Sequence, residues 1–305
     1  MRCLIIHNPA SGPSSDEIFA FTHALSQGGD EVVMRFIGDG MEPEDAVADV
    51  REFDRVVVSG GDGTVSNVLD QMRGCGVPTL VFPSGTACLF FNNIGNAPEA
   101  AALAKACRAG RTVKVDMGEL FWLDEDGNEK RHGFIIIAGS GFDAEIMMKA
   151  APTKNDIGEI AYFLSALATP NPTVAHFTIE HDGIVEEIDG ICCMAGNTSV
   201  IQNDINLFPS CRMNDGMVDI AVIEPVKTVQ LLPTVITAAL DPAGKVLGRP
   251  QFKIIQTKEA KITCTPSLGM QFDGEIISSN SGVFGARALP QCLDLIVDEF
   301  SPLGK

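Results

Sequence analysis

The fold is decided by Val56-Val57-Val58-Ser59-Gly60-Gly61-Asp62-Gly63-Thr64, in which a β-branched run leads into a glycine turn with one carboxylate. The run is apolar without alternation, which is typical of a buried parallel strand. Val65, Val68 and Leu69 follow at helical spacing and predict a helix, with Thr64 as its N-cap. Because a helix N-terminus directs free N–H groups and the positive end of the dipole to one point, the turn predicts an anion site.

The single acid of this turn needs its own explanation. An acid inside an anion site repels phosphate unless a cation accompanies the phosphate. Asp62 therefore indicates Mg²⁺ held together with a nucleotide phosphate. A tight strand-to-helix turn with a solvated carboxylate is the alternative that these nine residues leave open.

Length, charge and cysteine content narrow the class of protein. A chain of 305 residues suits two domains. The net charge of −18 argues against nucleic-acid binding, since no basic stripe is present to meet a phosphate backbone. The nine cysteines form no C-x-x-C pair, which favours reduced thiols in a cytoplasmic protein. No run is long enough to be a transmembrane segment, so we expect any membrane contact to be peripheral.

Strand-like and helix-like segments alternate over residues 1–117, which predicts an α/β domain with a parallel sheet. Loops rich in turn formers follow three of these strands, at residues 8–12, 60–64 and 83–86. In parallel sheets ligands bind beyond the carboxyl ends of the strands. We therefore expect the three loops to converge on one crevice.

After residue 117 the pattern changes to strand-like runs separated by turn dipeptides. Residues 118–290 therefore predict a second, β-rich domain, most simply a β-sandwich, with helical interruptions at 144–148, 157–167 and 228–240. A final strand within 291–300 is expected to return to the first domain.

Two further acidic turns stand out from the other Asp-Gly pairs. Asp215-Gly216-Met217-Val218-Asp219 places two acids around the entry to a strand, a pattern that suits a hard cation as well as it suits a plain turn. Asp273-Gly274-Glu275 is either a simple hairpin tip or a segment that directs Glu275 towards the crevice as a general base. His7 and Ser84 have no visible catalytic context, and no Gly-x-x-x-x-Gly-Lys is present.

Seven motifs in order make the chain resemble the diacylglycerol kinase catalytic-domain family, which includes bacterial lipid kinases and sphingosine kinases. The resemblance covers nearly the whole chain. It is carried by Asn8-Pro9 with Gly12, Gly60-Gly61-Asp62-Gly63-Thr64, Pro83-Ser84-Gly85-Thr86, Gly141-Phe142-Asp143-Ala144, Gly158 with Ala161-Tyr162, Asp215-Gly216-Met217-Val218-Asp219 and Asp273-Gly274-Glu275.

The resemblance implies an α/β nucleotide-binding domain like that of NAD kinases and phosphofructokinases, a β-sandwich lipid-substrate domain, and an active site in the cleft. It implies the cofactors ATP and Mg²⁺, with Asp62 in the Mg²⁺–phosphate network and Glu275 deprotonating the lipid hydroxyl. A second Mg²⁺ would use Asp215 with the main-chain carbonyls of Arg212 and Met217. The implied ATP contacts are Asn8, Pro9, Gly12, Gly60, Gly61, Gly63, Thr64, Asn67 and Thr86.

The chain departs from the family pattern at two places. After Gly85-Thr86-Ala87 the family usually has Asn-Asp, whereas Cys88-Leu89 stands here. After Gly196-Asn197 the family tends to have glycines, whereas Gln202-Asn203-Asp204 follows here. The first difference concerns the polarity of the nucleotide site, and the second concerns the identity of the acceptor.

The main hypothesis is an ATP- and Mg²⁺-dependent kinase that phosphorylates a lipid hydroxyl, most simply that of diacylglycerol, at a membrane surface. A homodimer is compatible with the sequence but not required by it. NAD kinase is an alternative because it shares the glycine signature. A nucleotide-binding regulatory protein without strong kinase activity is another, motivated by Cys88-Leu89.

Overall fold

The structure is a computed structural model that describes residues 1–12, 16–38, 40–141, 172–202, 205–225, 237, 240–241, 244–277, 279 and 281–304. The chain forms two compact units. The first comprises Met1–Met117 and Pro290–Lys305, and the second comprises Gly118–Leu289. Two long strands, β5 (Arg111–Leu123) and β18 (Val283–Val297), carry the chain from one unit into the other.

The first unit is built on a parallel sheet whose strand order is β2-β1-β3-β4-β18. Its first four strands are β1 (Arg2–His7), β2 (Glu31–Phe36), β3 (Arg55–Gly60) and β4 (Thr79–Pro83). Residues 3–6 and 56–58 are fully buried, because a strand with helices on both faces of its sheet has no polar side. Leu295 of β18 pairs with Thr79 of β4 in parallel.

Five described helices belong to this unit, and their apolar faces pack on the sheet. They are α1 (Glu17–Gln27), α2 (Pro43–Ala46), α3 (Asp62–Gln71), α4 (Leu89–Ile94) and α5 (Ala100–Ala109). Ile18, Phe21 and Leu25 recur at helical spacing on α1 and are fully buried. Short 3-10 turns are present at Val50–Glu52 and Pro302–Gly304.

The described part of the second unit contains two larger antiparallel arrangements, one of which belongs to the same sheet as β18, and a separate two-stranded sheet. The strands of this unit are β6 (Glu129–Phe134), β7 (Ile137–Gly141), β8 (Ala175–His181), β9 (Ile184–Gly190), β10 (Cys192–Gly196), β11 (Val200–Gln202), β12 (Ile205–Asn206), β13 (Val218–Ile223), β14 (Phe252–Thr257), β15 (Glu259–Thr265), β16 (Met270–Phe272) and β17 (Glu275–Ile277). One sheet has the order β14-β13-β10-β7-β16-β17. In the other, β15 lies between β18 and β8, β9 follows β8, and β5 pairs with β6 and β18. The two-stranded sheet consists of β11 and β12.

Both larger arrangements of the second unit contribute to one hydrophobic core. Phe177 and Ile262 come from the sheet that contains β8 and β15, and Ile220 and Met270 come from the sheet that contains β13 and β16. Alternation along β15, where every second residue is buried, directs one face of the strand to this core. The predicted combination of an α/β sheet and a separate all-β region is confirmed.

The structure corrects several local predictions. Helix α3 begins at Asp62 rather than after Thr64, because Gly61 has extended backbone angles and already precedes the first turn. Helix α4 was not predicted, since six residues carry too short a pattern to show a period. The predicted change of pattern after residue 117 falls inside one continuous strand, β5, which runs across it. The motif residues Phe142, Asp143, Ala144, Gly158, Ala161, Tyr162, Asn203 and Asp204 lie outside the described residues, as do most of the predicted helical segments 144–148, 157–167 and 228–240.

Candidate active site

In the first unit, three loops meet at the carboxyl ends of the adjacent strands β1, β3 and β4. Asn8 follows β1, and its side-chain Nδ2 donates to Thr64 Oγ1 in the first turn of α3 at 2.8 Å. Backbone bonds join the same loops, from Asn8 N to Ser59 O (2.9 Å) and from Ser84 N to Gly60 O (3.3 Å). The predicted convergence of the loops is confirmed. The hydroxyl of Thr64 therefore serves as an acceptor for Asn8 and not as a helix cap.

Two glycines allow these loops to approach each other closely. A Cβ atom placed on Gly85 would lie 2.5 Å from the Cα of Gly61, a distance that real side chains do not tolerate. Gly12 has φ +140°, and a Cβ there would lie 3.2 Å from the carbonyl oxygen of Ser84. Gly12 and Gly85 are therefore required by loop-to-loop contact in the protein itself, in addition to any role towards a ligand.

Asp62 is the first residue of α3, and its carboxylate binds the start of a second helix. Its Oδ2 accepts a hydrogen bond from Leu89 N at 3.0 Å, and its Oδ1 accepts one from Phe90 N at 2.9 Å. The negative charge thus lies at the N-terminus of α4, where the helix dipole favours it. Each carboxylate oxygen has a second lone pair, so these bonds are compatible with a cation on the other side.

Cys88 precedes α4 in the left-handed conformation, with φ 47°. Its Sγ lies 3.3 Å from the carbonyl oxygen of Gly85, to which the thiol donates. Burial, with a smaller contribution from the nearby Asp62, raises the pKa of Cys88 to about 11. The side chain at this departure from the family pattern is therefore a neutral thiol that helps to hold the loop after β4.

The remaining predicted nucleotide residues lie along the same edge. Gly60 ends β3, Gly63 lies in the first turn of α3, and half-buried Asn67 lies one turn further on. Pro9 and Thr86 are exposed in the loops after β1 and β4. The loops thus place polar side chains, exposed backbone and a helix N-terminus together, which is an arrangement that binds anions.

A buried polar chain beneath these loops was not predicted from the sequence. His7 Nδ1 lies 2.9 Å from Ser59 Oγ, and Ser59 Oγ lies 2.7 Å from Ser84 Oγ. His7 is 1% exposed, and both serines are fully buried. The signal in the sequence is a polar residue at or next to the carboxyl end of each of these strands: His7 ends β1, Ser59 precedes the last residue of β3, and Ser84 follows β4.

In the second unit, Asp273 and Gly274 form the tip of the hairpin between β16 and β17. Their φ values are +42° and +90°, as a two-residue type I′ turn requires. Phe272 pairs with Glu275 across the turn, so Glu275 is the first residue of β17, and its side chain is exposed. The local structure is thus the predicted hairpin tip.

The hairpin is fixed to the corner between β6 and β7 through the carboxylate of Asp273. Its Oδ2 accepts from Ile135 N at 2.7 Å, and its Oδ1 accepts from Ile136 N at 2.9 Å and from Ile137 N at 3.0 Å. Asp273 N in turn donates to Ile137 O at 2.8 Å. These bonds orient the residue two positions before Glu275, so they restrict where Glu275 can point.

Asn197, which is fully buried, holds the same corner from the other side. Its Nδ2 donates to Ile135 O at 3.1 Å, and its backbone N donates to Ile136 O at 2.9 Å. Asp273 and Asn197 together bind both the N–H groups and the carbonyl groups of this corner. The pair Gly196-Asn197 in the sequence is the only local signal for this role.

Asp215 is exposed, and its carboxylate accepts one hydrogen bond from its own turn and one from strand β14. Asp215 Oδ1 accepts from Met217 N at 3.0 Å, and Oδ2 accepts from Gln256 Nε2 at 3.3 Å. The guanidinium of Arg212 donates to the carbonyl oxygens of Pro209 (3.3 Å) and Cys211 (2.9 Å). Carboxylate and main-chain carbonyl oxygens are the kinds of donor that a hard cation prefers.

The second acid of that turn has a different environment. Asp219 is 1% exposed, Ser210 Oγ donates to it at 3.0 Å, and burial raises the pKa of its carboxyl group. Among the residues that the structure describes, no three His, Cys, Asp or Glu side chains come together as a metal site. A cation at this turn would therefore depend on Asp215 and on backbone oxygens.

Two family models match consecutive parts of the chain. The diacylglycerol kinase catalytic domain matches residues 2–120, and the YegS C-terminal NAD kinase beta sandwich-like domain matches residues 136–297. These matches, with the fold and the glycine loops, define the class of protein as a phosphotransferase that has an alcohol group as acceptor. Within that class, the chain belongs to the diacylglycerol kinase catalytic-domain family and is a lipid kinase.

Similar proteins agree with this assignment. The chain is 28% identical to a diacylglycerol kinase of Mycobacterium tuberculosis (strain ATCC 25618 / H37Rv) over 243 residues, which cover 75% of this chain and 73% of that protein. It is 25% identical to a diacylglycerol kinase of Bacillus subtilis (strain 168) over 286 residues, which cover 90% and 89%. The crystal structure of a diacylglycerol kinase from Bacillus anthracis str. Sterne has the same fold, with a TM-score of 0.73, 21% identity and coverage of 98% and 97%.

Within the described part of the chain, no helix is both long and apolar enough to cross a membrane.

Proposed function

We propose that the protein is an ATP- and Mg²⁺-dependent kinase that phosphorylates the hydroxyl group of a membrane lipid, with diacylglycerol as the leading acceptor. The observation that carries this proposal is the meeting of three glycine-containing loops at the carboxyl ends of β1, β3 and β4. Phosphoryl transfer requires positioning and charge neutralisation more than covalent chemistry, and such loops supply N–H donors. Relatives named diacylglycerol kinase support the choice of acceptor.

In this proposal residues 1–117, with the returning segment 291–300, bind the nucleotide. Asn8, Pro9, Gly12 and the first turn of α3 contact the phosphates, together with Thr86. Asp62 holds the cation side of the phosphate network while its other lone pairs keep α4 in place. Bound Mg²⁺ neutralises negative charge on the transferred group.

Residues 118–290 would then bind the lipid, and Glu275 would remove the proton of the acceptor hydroxyl. Glu275 suits this role because it is exposed at the start of β17, on a hairpin whose tip is fixed by three hydrogen bonds to Asp273. A base must stay within hydrogen-bond reach of the proton that it removes, so a fixed hairpin favours catalysis. Asp215 and the carbonyls of Arg212 and Met217 are proposed to hold a second, structural Mg²⁺.

The proposed chemistry requires the protein to meet its substrate at a bilayer. Diacylglycerol does not leave the membrane readily, because each buried CH₂ group contributes roughly 0.8 kcal/mol to its retention. We therefore propose peripheral binding of a cytoplasmic protein to a membrane surface.

The acceptor is tested by incubating the purified protein with labelled ATP, Mg²⁺ and a total lipid extract, and by identifying the labelled product. A labelled phosphatidic acid is the expected result. Parallel reactions with NAD separate the alternative acceptor: labelled NADP without labelled lipid would replace the proposal. Binding of ATP without any labelled product would favour a nucleotide-binding regulatory protein.

The general base is tested with Glu275→Gln, which keeps the size of the side chain and removes its basicity. We expect kcat to fall roughly 10²–10⁴-fold, the usual contribution of a general base, with little change in the KM for ATP. Glu187→Gln, which changes an exposed glutamate on β9, is the matched control and should leave kcat unchanged. Turnover by Glu275→Gln close to that of the control would exclude this role.

A further inference from the structure

The buried chain of His7, Ser59 and Ser84 crosses three neighbouring strands of the first unit. His7 and Ser59 are paired in register on β1 and β3, and Ser84 directly follows β4, the next strand of the sheet. Their side chains are joined by two contacts, of 2.9 Å and 2.7 Å. The chain therefore runs across the carboxyl edge of the sheet, perpendicular to the strands.

Each of these three side chains belongs to a residue in or directly before a loop that the proposed function assigns to ATP. His7 precedes Asn8, Ser59 precedes Gly60, and Ser84 lies within the loop 83–86, two residues before Thr86. Displacement of any one of them would therefore move the backbone of its loop. The two side-chain hydrogen bonds act together with the Asn8–Thr64 bond and the backbone bonds that already join these loops.

The three buried side chains must satisfy each other's hydrogen bonds, because their polar atoms have no access to water. The two hydroxyls can satisfy each other and the imidazole only if all protons point the same way along the chain. A buried polar group that loses its partner carries the full cost of its desolvation. Because loss of either hydrogen bond leaves a buried polar group unpaired, these three side chains favour one geometry over other arrangements that pack equally well.

We propose that His7, Ser59 and Ser84 form one positioning unit that sets the spacing of the three loops and thereby the affinity for the nucleotide. The inference rests on the proposed function and adds residues that contact no substrate. It assigns them to the nucleotide side of the reaction and not to the lipid side.

The test measures the Kd for MgATP by titration calorimetry and, separately, the KM for diacylglycerol in mixed vesicles. Ser59→Ala and Ser84→Ala should each raise the Kd about fivefold to tenfold, the size expected for one buried hydrogen bond, with the KM for the lipid within about twofold. The double variant should be no more than about twofold weaker than either single variant, because one break already opens the chain. Independent additive effects would overturn the proposal.

Ser301→Ala is the matched control, since Ser301 is fully buried in the same unit and its hydroxyl donates to the carbonyl oxygen of Ile94. This variant should lose similar thermal stability while keeping the Kd of the wild type. His7→Asn, which keeps a polar group near the position of Nδ1, should bind more tightly than His7→Ala. If Ser59→Ala fails to fold, Ser84→Ala and Ser59→Cys decide the question, since Ser84→Ala removes the contact between the two serines and Ser59→Cys weakens both contacts.

Three results are distinguishable. A raised Kd for MgATP in Ser59→Ala and Ser84→Ala, with no change in Ser301→Ala, supports the positioning unit. If the wild-type protein binds MgATP and phosphorylates the lipid, but Ser59→Ala and Ser84→Ala keep its Kd for MgATP, the positioning unit is refuted and the proposed function stands. Absence of MgATP binding by the wild-type protein refutes the proposed function itself, and the inference with it.

Discussion

Replacement of Asp273 tests how strongly the hairpin that carries Glu275 is held. The side chain of Asp273 accepts three backbone hydrogen bonds, from Ile135, Ile136 and Ile137. Hydrogen bonds to a charged group contribute about 1.5–3 kcal/mol each, but three bonds to one half-buried carboxylate are not additive, and water replaces part of the loss. We expect Asp273→Ala to lower the free energy of unfolding by about 3–4 kcal/mol, of which about 1 kcal/mol comes from the positive φ.

A second hairpin of the same unit provides the control for the cost of placing alanine at a positive φ angle. Asp182 and Gly183 form the turn between β8 and β9 with φ values of +48° and +78°, nearly those of Asp273 and Gly274. The carboxylate of Asp182 interacts with the side chain of Thr257 and with the neighbouring His181 ring, whose Nδ1 lies 3.3 Å away. Asp182→Ala should therefore cost about 1–2 kcal/mol, and the larger loss in Asp273→Ala measures the three backbone hydrogen bonds that only Asp273 accepts from its corner.

Urea unfolding followed by tryptophan fluorescence is the appropriate assay. The protein has a single tryptophan, Trp122, which packs against the core of the second unit and reports on the unfolding of that unit. Asp273→Asn keeps one acceptor oxygen and should lie between the alanine variant and the wild type, at a cost of about 1–2 kcal/mol. Equal losses for Asp273→Ala and Asp182→Ala, within about 0.5 kcal/mol, would refute the claim that Asp273 fixes the corner.

Three more predictions concern the loops, the buried imidazole and the second cation. Gly85→Ala should lower the melting temperature by several degrees because its Cβ would meet the Cα of Gly61 at 2.5 Å, whereas Gly61→Ala finds only an ordinary contact at 3.7 Å and should cost much less. Burial lowers the pKa of His7, so between that lowered value and about 6.5 the unfolded chain binds a proton that the folded chain does not. Stability should therefore fall as the pH drops below about 6.5, and His7→Asn should reduce this slope in urea unfolding at a series of pH values; an unchanged slope would contradict the assignment. Addition of Mg²⁺ should raise the melting temperature of the wild type through binding to the folded state, and Asp215→Asn should weaken this effect; an equal rise in both would exclude Asp215 as a ligand.

Short-range patterns were sufficient to predict the main elements. The apolar run at residues 56–58 followed by glycines defines a buried parallel strand and a helix N-terminus, since both depend on neighbouring residues. The Asp273-Gly274 pair similarly predicts a tight hairpin turn from its own backbone preference. The change from alternating helices and strands to strands alone separated the α/β part from the all-β part.

Short-range patterns could not predict contacts between residues that are far apart in the sequence. The sequence predicts a cation-binding or solvated role for Asp62, but it gives no sign that the two carboxylate oxygens also accept hydrogen bonds from Leu89 and Phe90, 27 and 28 positions away. Helix α4, which these bonds begin, is too short to show a period of its own. His7 had no assigned role, because its partner Ser59 lies 52 positions further along the chain.

The glycine stretch that follows β3 shows where the division lies. The sequence by itself determined that a strand, a turn with one acid and a helix N-terminus occur there, because local backbone preferences and the apolar pattern decide such features. Only the tertiary structure decided which atoms that acid binds, why position 85 must be glycine where it meets Gly61, and which buried side chains support the loops. The physical reason is that a hydrogen bond or a close contact depends on distances of a few tenths of an ångström between segments that only the folded sheet brings together.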